Sequence, residues 1–311
     1  MKRFVFDGHC DTPVELWRNG AELRENRLAI SLERARSLNG YAQFFSFCTA
    51  WLNDGRPHSE QYRLALAYFL AQLDENRELA ALCRTAEDAE TAVQAGKTAA
   101  FLSIEGAEAL DCDAGRLDEA YERGVRMISL VWNIENPMTG SCMTGTGLTA
   151  RGKEFFRRAQ RLGMIVDVSH LSDRGFWDMA ELAEKPLVAS HSNSRALCAH
   201  PRNLTDEQFR AICQLGGTVG LNLVGPFLSE NGAATLDGFR RHLDHFLELG
   251  GEGHIAVGLD LDGTTELPAG FTGVEHHRTL AAYLAGCGYS EKTMQSLLCG
   301  SWMEVLKACA M

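Results

Sequence analysis

The sequence predicts an α/β fold, a (β/α)8 TIM-type barrel, and three observations predict it. Eight short β-rich runs alternate with segments of helical periodicity. Most of the runs are continuously apolar, as expected where both faces of a parallel sheet are buried. The 311 residues contain no internal repeat, low-complexity tract or Pro-rich linker, so the alternation belongs to one unbroken domain, 1–311.

The first run, at 3–6, leads into Asp7-Gly8-His9-Cys10-Asp11. The second lies at 42–48. A long excursion over 53–96 follows, where apolar residues at helical spacing from Ser59 to Leu82 predict a helix. Runs at 99–104 and 126–131 precede a helix over 148–162, which starts at Thr149 and stops at Gly163, a fitting C′ glycine. Runs at 164–168 and 187–190 come next. Thr205 with Gln208 makes a capping box for the helix running to Leu215. Runs at 218–223 and 254–259 flank a helix over 236–249 that ends at Gly250-Gly251. The last helix covers 290–309 with a break near Gly300.

Composition is that of a soluble globular protein, 45% hydrophobic and 23% charged. The net charge of −11 argues against a nucleic-acid or anionic-membrane partner, either of which needs a basic face. The ten cysteines include no CxxC pair and sit mostly in apolar or helical stretches, which fits reduced, buried thiols in a cytoplasmic protein. Lys2 and Arg3 are followed by only three apolar residues before Asp7, too few for a signal peptide. No apolar run approaches the roughly 18 residues of a membrane span. The C-terminus lacks the apolar tail of a lipid-anchor signal.

Active sites of such barrels lie at the C-terminal ends of the strands. Those positions hold His9 and Asp11, then Glu105-Gly106, Asp167-Val168-Ser169-His170, Ser190-His191-Ser192 and Gly258-Leu259-Asp260-Leu261-Asp262-Gly263. His9 and Asp11 are two apart, so they leave an extended strand on one side. Imidazoles and carboxylates converging on one rim would leave buried charge unpaired, a cost that a cation offsets. The donor types suit Zn²⁺ or a similar divalent ion. Three His with Asp11 and Glu105 exceed the ligands of one catalytic zinc and fit two metals about 3.5–4 Å apart with a bridging carboxylate. Asp260, at the last strand end, is the candidate proton shuttle. Cys10 points away from the ligands that flank it and packs.

These residues carry a family resemblance. Asp7-Gly8-His9-Cys10-Asp11, Ser103-Ile104-Glu105-Gly106, Val166-Asp167-Val168-Ser169-His170, Ser190-His191-Ser192-Asn193 with His200-Pro201-Arg202-Asn203, and Gly258-Leu259-Asp260-Leu261-Asp262-Gly263 occur in the order of the membrane (renal) dipeptidase family. That family comprises zinc metallopeptidases of the amidohydrolase-like barrels, and the motifs span nearly the whole chain. The resemblance implies that His9 and Asp11 bind one zinc, that His170 and His191 bind the other, and that Glu105 bridges both. It implies that Arg202 holds the substrate's terminal carboxylate, a group that an Arg fork suits. Asp260 matches the acid/base that delivers a proton to the leaving amine. Members of the family hydrolyse dipeptides, often with a D-residue at the C-terminal position, some open β-lactam rings, and many form homodimers.

Two positions depart from the family pattern. Trp132 stands where a His that stabilises the oxyanion is expected, and Val224 stands where a Tyr near the substrate carboxylate is expected. Asn133, beside Trp132, is a substitute oxyanion donor. These departures keep two further readings open. One is a barrel amidohydrolase acting on a cyclic amide, a lactone or an N-acyl amino acid. The other is a metal-binding pseudoenzyme that binds small peptides. Among the remaining polar residues, His242 and His245 lie i, i+3 on a helix and read as a solvated face. His276-His277 and His200 read as structural, and Asp262 as ordering the loop after the last strand.

Overall fold

The computed structural model describes residues 4–310. Its strands are β1 (Val5–Cys10), β2 (Tyr41–Cys48), β3 (Ala80–Leu82), β4 (Thr98–Glu105), β5 (Val125–Ser129), β6 (Ile165–Asp167), β7 (Leu187–Ala189), β8 (Thr218–Leu221) and β9 (Ile255–Val257). All pairings between them are parallel. β1 pairs with both β2 and β9, and β2 pairs with β4, so every strand except β3 joins one closed eight-stranded barrel. The eight apolar runs of the sequence are these eight strands. Most of them end earlier than their apolar runs, because the last residues leave the ladder to build the rim. The expected start of the first run at Arg3 lies outside the described residues.

β3 corrects the sequence reading. The helix expected over 59–82 stops at Glu75, as His58–Glu75, and the chain turns at Asn76. Ala80, Ala81 and Leu82 then pair with Thr98, Ala99 and Ala100 at the start of β4. β5 does not join β4 until Leu102, so this lower edge of β4 is open to a partner. Pairing with an available edge here overrides the helix-forming character of Glu-Leu-Ala-Ala-Leu. Elsewhere the local signals act as read. Thr149 caps the helix Ala150–Arg161, and Gly163 takes φ 81° just past its end. Thr205 and Gln208 form a reciprocal capping box on Asp206–Gln214. The last helix is broken into Glu291–Gln295, a π turn over Ser296–Gly300, and Ser301–Ala310.

The two ends of the barrel differ. Phe6, Phe44, Phe101, Met127, Ile165, Val188 and Ala256 fill its lower interior. Phe6 stacks on Phe44 and Phe101 at 5.3 and 5.2 Å. Trp302, from the last helix, joins this cluster, and its indole N–H donates to the Val257 carbonyl at 3.0 Å. The upper end carries the polar strand ends.

β1 changes register against β2 between the pairs Asp7–Gln43 and Cys10–Phe45, so one extra residue bulges at Gly8-His9. Phe6 joins the inner cluster, whereas Cys10 packs in the outer core between strands and helices. Gly8 lies directly above Trp302. A Cβ there would sit 2.3 Å from the indole and 2.8 Å from the Ser190 carbonyl, so this position has no room for a side chain.

Trp302 plugs the lower end, so Trp302→Ala should cost about 3–5 kcal/mol of unfolding free energy, read from the urea midpoint at unchanged m-value.

Candidate metal centre

The bulge at Gly8-His9 turns His9 into the upper barrel, where the sequence-selected residues meet. His9 Nε2 lies 3.5 Å from Asp11 Oδ2, 3.6 Å from Glu105 Oε2 and 3.8 Å from Asp260 Oδ1. Glu105 Oε1 lies 2.8 Å from His170 Nε2 and 3.5 Å from His191 Nε2. The two imidazole nitrogens are 3.0 Å apart. Three groups of ligand atoms can therefore each hold an ion: His9 with Asp11 and Glu105, Glu105 with His170 and His191, and His9 with His191 and Asp260. All of these side chains are buried or nearly so.

The donor set fits a cation. His9 Nε2, Asp11 Oδ1 and Glu105 Oε1 are buried polar atoms with no hydrogen-bond partner, an arrangement that costs free energy unless something occupies the space between them. Electrostatics agrees. Burial works against a proton on His9, but Glu105, Asp11 and Asp260 outweigh it and hold that proton up to about 10. Burial lifts Asp11 to about 7 and raises Asp260 as well. Burial also opposes ionisation of Glu105, yet His9 and His170 bring it down to about 2. Burial and Arg202 lower His170 to about 4, and burial with His9 and Arg202 carries His191 well below the usual range, so both offer neutral imidazoles. A divalent ion would take the place of the proton on His9.

Hydrogen bonds behind the ligands fix which nitrogen faces the centre. Ser190 Oγ donates to Asp167 Oδ2 at 2.5 Å and lies 2.7 Å from His191 Nδ1. With its hydrogen committed to Asp167, Ser190 accepts from Nδ1–H, which leaves the Nε2 lone pair for an ion. Asp167 Oδ1 accepts from the backbone N–H groups of Ser169 and Ser190. Asn133 Oδ1 lies 2.7 Å from His170 Nδ1 and sets that ring in the same way. The motifs contained Asp167 and Ser190, but their joint role depends on contacts 23 residues apart in sequence, which no local spacing signals. His170 (φ 69°), Asp260 (φ 62°) and Asp262 (φ 64°) adopt left-handed backbone conformations at the strand ends. That geometry is sparsely populated and clusters at functional sites. Gly263 closes over the carboxylates: a Cβ there would meet Asp260 Oδ1 at 2.2 Å and Asp11 Oδ2 at 2.4 Å.

The centre opens into a cavity of about 260 Å³. Asp11, Glu105, His170, His191 and Asp260 line its floor, and Arg202, Trp132, Asn133, Val224, Pro226 and Phe227 line its walls. All four residues singled out for substrate contact therefore reach it. Arg202 is 5% exposed, and its guanidinium lies 5.5 Å from the Phe227 ring centre. Its Nε and Nη2 are buried without a hydrogen-bond partner. The Trp132 ring lies 6.2 Å from that of His170.

Other residues fall outside the cavity. Asp262 accepts from Thr12 Oγ1 and the Ala29 N–H, both at 2.6 Å, and so ties down the loop after β9. His200 accepts from the Arg202 N–H and packs on Phe227. The reading of His242 as solvated is corrected. It is fully buried, accepts from the Ser194 N–H at 3.0 Å and lies 3.1 Å from the Leu228 carbonyl, so it is a satisfied core residue. A residue one helical turn away from solvent is not distinguished from an exposed one by i, i+3 spacing alone. His245 pairs with Asp206 at 2.8 Å. Among the described residues no helix is long and apolar enough to cross a membrane.

A closed parallel barrel with a carboxylate–imidazole cluster at the C-terminal ends of its strands defines a TIM-type barrel with its polar site where barrel enzymes carry theirs. Comparison with known proteins agrees. The membrane dipeptidase family (Peptidase family M19) matches residues 1–311, and the chain belongs to that family. A metallopeptidase from Rhodobacter sphaeroides, solved with a phosphinate mimic of the dipeptide L-Ala-D-Ala, superposes with a TM-score of 0.89 at 30% identity over 98% of both chains. The dipeptidase AC, a metallopeptidase of family M19, superposes with a TM-score of 0.90 at 30% identity over 99% of both. An uncharacterised protein from the pqqA 5′ region of Klebsiella pneumoniae is 40% identical over 238 residues, 73% of this chain and 88% of its own.

Removing the Ser190 hydroxyl should free the His191 ring. Ser190→Ala should weaken metal binding about 10–100-fold, measured by competition with a chromophoric chelator.

Proposed function

We propose that the protein is a zinc dipeptidase that uses two ions to hydrolyse the peptide bond of dipeptides and accepts a D-residue at the C-terminal position. One observation carries this reading: the two oxygens of Glu105 face different ligand groups, Oε2 toward His9 and Oε1 toward His170 and His191. His9 and Asp11 would hold one ion and His170 and His191 the other, with Glu105 shared. Bound there, the ions would lower the pKa of water and polarise the scissile carbonyl.

The remaining roles belong to side chains. Arg202 presents two unpartnered nitrogens from a buried position, and a substrate carboxylate would satisfy both in a charge-assisted pair. This anchor places the scissile bond over the floor of the cavity. Asp260, whose carboxyl burial raises, takes a proton from the attacking water and hands it to the departing amine. Trp132, Val224 and Phe227 form an apolar wall that keeps bulk water from the reacting bond. Asn133 orients His170 through its carbonyl oxygen, and its NH2 group is the substitute oxyanion donor. The ten cysteines form no disulfide, which supports a reducing, cytoplasmic setting for one catalytic domain over 1–311.

Turnover of zinc-loaded protein on a dipeptide panel that includes D-residues tests the reaction. Two bound zinc ions with no dipeptide hydrolysed would refute it. Asp260→Asn should lower kcat about 10²–10⁴-fold with zinc content unchanged. Arg202→Met should raise KM for dipeptides about 10–100-fold, as expected for loss of a buried charged hydrogen bond. An unchanged KM would point instead to a cyclic amide, lactone or other substrate without that carboxylate.

A further inference from the structure

Behind the centre lies a pair that the chemistry above does not use. Asp7 and His277 are both fully buried, 270 residues apart in sequence, with Asp7 Oδ2 2.7 Å from His277 Nε2. His277 belongs to the helix His277–Gly286 that follows β9. Its Nδ1 lies 2.8 Å from the Val274 carbonyl, which can only accept, so Nδ1 carries a hydrogen. Nε2 faces the Asp7 carboxylate at hydrogen-bond distance. The Tyr41 and His277 rings meet at a steep angle with their centres 5.5 Å apart, and both are buried from solvent.

The carboxylate held in this way does two things. Asp7 Oδ1 accepts the His9 N–H at 3.0 Å, on the bulge of β1. It also accepts the Leu259 N–H at 3.1 Å, just past β9 and one residue before Asp260. One carboxylate thus ties together the backbones that carry His9 and Asp260. The regular ladder between these strands contributes only the Asp7–Val257 pair, and the backbones meet again only at Cys10–Leu261, where the Asp11 N–H donates to the Leu261 carbonyl at 2.9 Å. The bulge cannot supply its own hydrogen bonds, because the extra residue is left outside the ladder.

We infer that His277 is a positioning residue for the metal centre: through Asp7 it fixes the backbone of His9 and the approach of Asp260. This rests on the assignment of His9 and Asp11 as metal ligands. His277 lies outside the residues lining the active-site cavity, so its effect reaches substrate only through the ligands.

The test compares zinc-loaded natural protein with His277→Leu and His277→Gln. The Leu side chain cannot donate to Asp7, whereas the Gln amide can. In His277→Leu one zinc equivalent should weaken about 10–100-fold against a competing chelator, while the equivalent at His170 and His191 keeps its affinity. Amide exchange should accelerate in the segments holding His9 and Leu259 and stay unchanged in those holding His170 and His191. On any dipeptide turned over, kcat should fall and KM should stay within about twofold, because Arg202 is untouched. His277→Gln should restore zinc affinity to within about threefold of the natural protein. If His277→Leu does not fold, His277→Asn, polar but too short to span the gap, carries the same comparison. Unchanged zinc affinity, or equal weakening of both equivalents with exchange accelerated throughout the barrel, would overturn the inference. A natural protein that binds zinc but hydrolyses no dipeptide would remove the proposed reaction and leave the zinc and exchange comparison standing.

Discussion

Asp11, Glu105 and Asp260 are packed around one imidazole nitrogen of His9, away from water. Like charges at that depth repel strongly and lose their hydration, and one shared proton relieves only part of the cost. The rest of the upper barrel follows from this constraint. Ligand atoms converge without hydrogen-bond partners of their own, and the groups behind them supply the bonds that hold them there. Three rim residues take left-handed conformations that an ordinary strand end would not adopt. A glycine at 263 lets the backbone close over two carboxylates.

The lower barrel shows the opposite economy. Phe6, Phe44 and Phe101 pack on one another, Phe6 and Phe44 also meet Trp302, and the cluster they form is apolar. This rigid base makes the bulge in β1 possible. Gly8 rests on the indole below, and the extra residue brings His9 to bear on the centre instead of the outer core. The same displacement sends Cys10 outward, so the thiol between two ligands is inert packing. Apolar packing below and oriented hydrogen bonds above place the ligands together, and neither would do so alone.

Much of this was legible in the sequence, for physical reasons. Continuous apolar runs mark strands buried on both faces, and a polar residue at the end of such a run stands out, so His9, Glu105, His170, His191 and Asp260 were found. What pairing decides was not legible. Ala80, Ala81 and Leu82 are a strand only because β4 offers a free edge. His242 is buried because the segments around Ser194 and Leu228 cover it, which helical spacing cannot show. Asp167 acts on His191 through Ser190, and Asn133 acts on His170, across segments that neither periodicity nor motif order connects. Asp7 and His277 are the extreme case, since each looks like an ordinary polar residue until the barrel closes and brings them together.

That closure has a consequence for how the protein is made. The first strand emerges from the ribosome long before the last, and Asp7 must wait for a partner 270 residues downstream, roughly 15–50 s at ordinary rates of synthesis. During that interval His9, Asp11 and Glu105 have no complete enclosure, and β1 lacks one of its neighbours. A metal held by His9, Asp11 and Glu105 would therefore meet its enclosed ligand set only once the chain is complete. Until then the exposed edge of β1, with its Phe-rich neighbour β2, is the surface most in need of protection from other nascent chains.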